Sequence, residues 1–306
     1  MHRRPFLVGL TAALATPALA QDKPRVVATF SILGDMVREI AGDRVELTTL
    51  AGPDADAHVF KPTPADARAV AQAALLVANG GGFDSWADKL AKAAPLRGRR
   101  ISAVQGITLQ KAQHGHGHSH GHSHGHSHAH GPDPHCWQDV SLARRYAATI
   151  AEGLRAVDAA GAAHYMQRLA AYDARLVDLD AWVKREIATV PADKRRVIAS
   201  HDAFAYFERA YGVKFHAPRG LSTEAEPTAK DVAALIRLVR DQKIKALFVE
   251  NMTNPALVEQ IARESGGRVG GKLFSDALSP PSGPAGTYDA MMRHNVKTLV
   301  AGMAAN

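Results

Sequence analysis

The 306-residue chain is long enough for two domains or one large one, and its 46% hydrophobic content excludes both a disordered chain and a protein crossing a membrane many times. Its net charge of +7 falls to +5 without the first twenty residues, which carry Arg3 and Arg4 and no acid, and so mild an excess gives no basis for a nucleic-acid partner. The single cysteine, Cys136, excludes an internal disulfide and a thiolate-rich zinc site; it reads as a buried small hydrophobe.

Residues 1–20 have the three parts of a secretory signal peptide: Arg3 and Arg4 as the positive start, an apolar stretch from Phe6 to Ala15, and Ala18-Leu19-Ala20 as the cleavage site. The apolar stretch is too short to span a bilayer, and no cysteine follows the cleavage site to carry a lipid. The expectation is an exported, periplasmic protein. Arg3-Arg4 also hints at twin-arginine export.

Apolar runs then alternate with helical patterns, as in βα units around a parallel sheet. Strands are expected at 25–32, 45–50, 74–78 and 100–104, with helices at 34–41, after Thr63-Pro64-Ala65-Asp66, and at 85–94. That tetrapeptide offers a capping threonine, a proline at the first helical position and an acid in the first turn. From 140 to 190 the pattern is helical throughout, broken near Gly161. Leu169, Tyr172, Leu176, Leu179, Val183, Ile187 and Val190 recur at spacings of three and four, which predicts a long helix over 162–190 that Pro191 ends. The alternation resumes with strands at 196–200, 213–216, 244–249 and 268–274. Helices are expected at 203–211, from Thr228 with Asp231 as its capping partner, from Asn254-Pro255, and from Thr287. The division this suggests is a signal peptide (1–20), an N-terminal lobe (21–161), a linker helix (162–190) and a C-terminal lobe (191–306).

Between the fourth strand and residue 135 lies a tract of nine alternating histidines: His114, His116, His118, His120, His122, His124, His126, His128 and His130. Only Gly, Ser or Ala separates them, so the tract cannot bury enough surface to offset its ordering entropy and is expected to be a mobile loop. Imidazole is the commonest side-chain metal ligand. Many equivalent donors make a loose collector of auxiliary metal rather than a selective site; the alternatives are a solvated spacer and an affinity tag, the latter disfavoured by an internal, alternating run.

Four further residues fall beside strand ends. His58 follows the second strand, His135 the long loop after the fourth, His201 ends the first strand of the second half, and Asp276 ends its last. Ligands of open α/β sheets bind at the carboxyl ends of strands. Three imidazoles and one carboxylate suit the four-coordinate preference of zinc. Glu224, Glu226 and Asp139 read as acids complementing helix starts, His164, His216 and His294 as non-ligands, and Trp86, Trp137 and Trp182 as packing residues.

The segments Asp56-Ala-His58-Val-Phe60, Asp133-Pro-His135-Cys-Trp137-Gln-Asp139 and Ser200-His201-Asp-Ala-Phe204 resemble three motifs of one family. Leu221-Ser-Thr-Glu-Ala-Glu226-Pro227, Phe274-Ser-Asp276-Ala-Leu-Ser279 and the segment from Tyr288 to Asn295 add to the likeness. Together, in order and across nearly the whole mature chain, they resemble the cluster A-I solute-binding proteins of ABC transporters, which include the periplasmic zinc-uptake receptors. The resemblance implies an α/β protein of two (β/α) lobes with parallel sheets, joined by a long rigid helix, with one metal ion between the lobes. It places Zn²⁺, the transported ligand, on His58, His135 and His201. Asp276 takes the fourth position or hydrogen-bonds a ligand while water fills it. Manganese-type members usually carry Glu where this chain has His201. The implied partners are a membrane permease with its ATPase, and a periplasmic zinc chaperone; the implied state is a monomer. A zinc buffer or metallochaperone, a manganese-binding receptor, an adhesin and a metalloenzyme are the alternatives. The last lacks an HExxH helix or any other hydrolase signature, so no enzyme activity is expected.

Overall fold

The computed structural model describes residues 23–111 and 131–306. The expected signal peptide and the tract His114–His130 lie outside the described residues. The first sheet contains β1 (Arg25–Phe30), β2 (Glu46–Ala51), β3 (Leu75–Ala78) and β4 (Arg99–Ser102), in the order β2-β1-β3-β4. The second contains β5 (Arg196–Ile198), β6 (Lys214–His216), β7 (Ala246–Glu250) and β8 (Arg268–Leu273), in the order β6-β5-β7-β8. Every strand pair is parallel. Parallel strands need crossovers, and the helices supply them: α1 (Ser31–Ala41), α2 (Pro64–Gln72) and α3 (Ser85–Ala93) in the first sheet, α6 (Ala205–Tyr211), α7 (Ala229–Asp241) and α8 (Ala256–Ser265) in the second, while α4 (Val140–Val157) follows the last strand of the first sheet and packs back on it. The chain therefore folds as two α/β lobes of like topology.

The long helix α5 (Ala162–Ala188) packs on α1 and α4 of the first lobe and on α9 (Tyr288–Met303) of the second. Tyr172, Leu176, Leu179, Val183 and Ile187 are buried along one stripe, as their spacing requires, and Leu169 packs half-buried at its start. Full burial of each such side chain is worth roughly 1.5–3 kcal/mol, enough for the stripe to hold the helix rigidly against both lobes. The helix stops at Ala188, two residues short of Val190, because the residue before a proline is driven out of the helical region.

Two helix starts follow their sequence signals closely. Thr63 and Asp66, and likewise Thr228 and Asp231, form reciprocal capping boxes at the first turns of α2 and α7. The first strand is shorter than its apolar run: Ser31 and Ile32, expected as strand, open α1, since an unbroken apolar run looks alike in a buried strand and a buried helix. Ala203 and Phe204, expected inside a helix, precede α6.

One lobe-to-lobe contact is poised to respond to pH. Asp35 of α1, 3% exposed, accepts a 2.8 Å hydrogen bond from the backbone N–H of Tyr288 at the start of α9. Burial pushes its carboxyl up to about 6; the Tyr288 bond opposes this and Glu39 adds to it. A carboxyl that keeps its proton more tightly in the fold penalises the folded state once it ionises. The penalty is absent below the unfolded value of 3.8 and complete above about 6. Asp35→Asn, whose amide oxygen still accepts from Tyr288, is therefore expected to stabilise the protein by on the order of 1–2 kcal/mol at pH 7.5 and far less at pH 4.5. Thermal melts at the two pH values check this; an equal gain at both would refute it.

Candidate metal centre

Both sheets point the carboxyl ends of their strands at the cleft between the lobes, and the connections leaving those ends carry the site. His58 lies in the loop after β2, His135 on the return from the excursion after β4, His201 just beyond β5, and Asp276 three residues after β8. All four come together: one donor atom from each lies within 4.8 Å of the other three. His58 Nε2 stands 3.4 Å from His135 Nε2 and 3.1 Å from Asp276 Oδ2, and His201 Nε2 stands 3.0 Å from the same oxygen. Asp276 Oδ1 is 3.8 Å from His135 Nε2. A tetrahedral ion with bonds of roughly 2.0–2.1 Å has donor–donor edges of about 3.3–3.4 Å, so the observed separations bracket the required size.

The geometry is fixed from behind. His135 Nδ1 lies 2.8 Å from Asp133 Oδ1, which also accepts the His135 backbone N–H. His201 Nδ1 lies 2.6 Å from Glu250 Oε2 at the end of β7, while Glu250 Oε1 accepts the backbone N–H groups of Ser200 and His201. A proton held on Nδ1 by a carboxylate leaves the Nε2 lone pair facing the cleft and makes the ring a stronger donor. Asp276 is set by a different device. Trp137 Nε1 and Gln138 Nε2, from the opposite lobe, both donate to Ser275 O at 2.8 Å, and Asn295 bonds the Phe274 backbone in both directions. Asp276 Oδ1 is buried with no hydrogen-bond partner among the described residues. An inward-facing carboxylate oxygen left without a partner is costly in a closed protein and suits an ion bound beside it.

An aromatic wall lowers the local dielectric. Phe83 lies edge-on to His58 with centroids 4.6 Å apart, and Trp137 lies 5.2 Å from His135. Phe83 is placed by a turn in which Gly80, Gly81 and Gly82 all adopt positive φ, a run only glycine accepts without strain. A Cβ at Gly80 would also sit 2.0 Å from Ser102 Oγ. Burial disfavours charge throughout the centre, and its result differs by residue. His58 is lowered by burial against the pull of Asp276. Asp276, despite burial, is held well below the usual carboxylate range by the His201 and His135 rings. His201, despite burial, is held well above the ordinary imidazole value by Glu250 and Asp276. Without metal, His201 therefore keeps a second proton beside the ionised Asp276, and a cation entering the centre displaces it to reach Nε2.

The other polar residues singled out in the sequence lie elsewhere. His164 hydrogen-bonds Ala41 O and His294 hydrogen-bonds Lys272 O, while Glu226 accepts from Arg219 at 2.5 Å. Asp139 caps α4. Trp86 donates to Ala57 O, directly before His58, so it both packs and braces the site. Cys136 is buried, and burial pushes its thiol up to about 11, as for an inert core residue. Sequence reading missed Asp133 and Glu250 as supports. A carboxylate two residues before a candidate ligand, and another ending the strand beside it, were the available signals.

Residues 26–302 match the family described as zinc-uptake complex component A, periplasmic. The chain is 32% identical to the zinc-binding protein TroA of Treponema pallidum, over 98% of this chain and 95% of the relative. The solved structure of that periplasmic zinc-binding protein superposes with a TM-score of 0.83, covering 92% of this chain and 99% of that one at 30% identity. Similarity also extends to the manganese-binding lipoprotein MntA of Halalkalibacterium halodurans, 28% identical over 98% of this chain and 97% of that one. The iron ABC transporter substrate-binding lipoprotein MtsA of Streptococcus pyogenes is 30% identical over 98% of this chain and 95% of the relative. The family supplies the substrate-binding components of metal ABC importers, which work outside the cytoplasmic membrane with a permease and ATPase and are not enzymes. The chain belongs to this zinc-uptake component A family, the cluster A-I solute-binding proteins, and is a metal-binding receptor of an ABC transporter.

Proposed function

We propose that this receptor takes up zinc: it holds one Zn²⁺ between its lobes on His58, His135, His201 and Asp276 and yields it to its permease in the periplasm. The observation that carries this reading is the donor set, three imidazoles and a single carboxylate with edges near those of a zinc tetrahedron. Manganese prefers several oxygen donors in an octahedral arrangement, and among the described residues the donor cluster has a single carboxylate, Asp276. Asp133 and Glu250 stand behind their imidazoles and strengthen nitrogen donation. Relatives named for zinc, manganese and iron match this chain along nearly its whole length, so the residue at each ligand position carries the selectivity argument.

The test is direct competition. Purified mature protein, stripped of metal and titrated with Zn²⁺ and Mn²⁺ against a chelator of known affinity, is expected to bind one zinc tightly and to prefer it over manganese by orders of magnitude. Both imidazole donation and the Irving–Williams order act in that direction. Equal affinities would overturn the zinc assignment and leave a general divalent-metal receptor.

A further inference from the structure

The three histidines are not held alike. His135 and His201 have fully buried side chains backed by carboxylates of their own lobes, whereas the His58 side chain is 5% exposed and no carboxylate backs its Nδ1 among the described residues. Besides Phe83 on its ring and Trp86 on the preceding carbonyl, His58 is held by a carboxylate that is itself anchored in the other lobe. Asp56 Oδ1 accepts the His58 backbone N–H at 2.9 Å, and Asp56 Oδ2 accepts a 2.6 Å bond from Thr223 Oγ1 in the segment between β6 and α7. Two residues earlier, Asp54 Oδ1 accepts from Asn251 Nδ2 at 2.8 Å, and the Asp54 backbone N–H donates to Leu278 O at 2.9 Å. Asp54 has φ of +55°, a left-handed conformation that aspartate adopts more readily than most non-glycine residues, and in it the residue bonds the second lobe through both backbone and side chain.

We propose that residues 54–56 form an inter-lobe clasp, by which Thr223 and Asn251 position His58 and set the rate at which the ion leaves. This rests on the function proposed above. His58 and His135 belong to the first lobe, His201 and Asp276 to the second, so parting the lobes divides the donor set. Most inter-lobe bonds are too deeply buried to break singly: Trp137 to Ser275 O, Tyr206 Oη to Asp133 O, and Tyr288 Oη to Trp137 O. The clasp differs, because Asp54 is exposed and Asp56, Thr223 and Asn251 are half-buried, so water can replace its side-chain bonds one at a time. It is the part of the seam that opens without dismantling the rest. Once it opens, Asp56 loses its anchor in the second lobe and His58 loses its registration against Asp276.

Two substitutions isolate the clasp without touching a candidate ligand. Thr223→Val removes the hydroxyl while keeping the shape, and Asp54→Gly removes the acceptor for Asn251 while keeping a residue that tolerates positive φ. Zinc-loaded full-length mature protein is mixed with excess chelator and release is followed by stopped flow; association is measured separately. The double variant is expected to release zinc about tenfold faster, with association changed by less than about twofold. The metal-free melting temperature should be unchanged, and Thr223→Ser should restore the native rate at that position. Unaltered release from the double variant overturns the clasp. So does faster release accompanied by a lowered metal-free melt and no rescue by serine, which would mark a structural role only. Failure of the native protein to bind zinc tightly overturns the proposed function itself, and the two failures are thereby distinct.

Discussion

Replacing His135 or His201 with alanine is expected to weaken zinc binding by roughly two to three orders of magnitude, from dividing the total binding energy of a four-ligand zinc site among its bonds. His58→Ala should fall at the lower end, since its ring stands at the rim of the cleft and lacks a carboxylate behind it. Asp276→Ala should be the mildest, because a water can occupy the position of a carboxylate oxygen while three imidazoles remain. His201→Ala carries a second consequence. Glu250, buried and already accepting from Ser200 N, the backbone N–H at 201 and Ser275 Oγ, would lose its ring partner. That variant should therefore also melt lower without metal, by on the order of 1–3 kcal/mol. Competition against a chelator measures the affinities and calorimetry the melts. Undiminished tight binding in all three histidine variants would exclude the centre as the zinc site.

The route from sequence to this centre shows which features were legible. Alternation of apolar runs and helical stripes was enough for two parallel α/β halves, because buried parallel strands and amphipathic crossovers leave different periods. Thr63, Thr228 and Thr287 mark helix starts by local bonds, and local bonds are readable from local sequence. His58, His135, His201 and Asp276 were legible for a topological reason: each follows a strand end, and parallel sheets put those ends on one side. Asp133, two residues before a candidate ligand, and Glu250, at the end of β7, left only weak signals, since each looks like any other acid until its imidazole partner is known. The Thr223–Asp56 and Asn251–Asp54 bonds are harder still. Their members are 167 and 197 residues apart, ordinary polar loop residues whose meaning exists only once the lobes face each other. Boundaries slipped where apolar runs continue through a change of structure, as at Ser31 and Ile32.

The most demanding expectation concerns conversion of the metal preference. A carboxylate is a harder donor than an imidazole and suits manganese better, which suggests His201→Glu as the simple exchange. The structure argues that the exchange alone fails. Glu250 Oε2 lies 2.6 Å from His201 Nδ1, and Asp276 Oδ2 lies 3.0 Å from His201 Nε2. The new carboxylate would enter between two others, all three buried, and like charges at that distance cannot all ionise. His201→Glu is expected to lose zinc affinity by roughly two to three orders of magnitude, to melt lower without metal, and to gain little manganese binding. Adding Glu250→Gln should repair this. The amide oxygen can keep the Ser200 and residue-201 backbone bonds, while the amide nitrogen donates to the new carboxylate. Ser275 Oγ, a donor to Glu250 Oε2 at 2.7 Å, can turn to accept instead. The double variant then offers two imidazoles and two carboxylates, the harder set that favours manganese, and its manganese-to-zinc affinity ratio should rise steeply over that of the native protein. Paired titrations of the single and double variants read the result. If the single exchange already produced a stable, manganese-preferring protein, the charge supporting His201 from behind would have no part in selecting the ion.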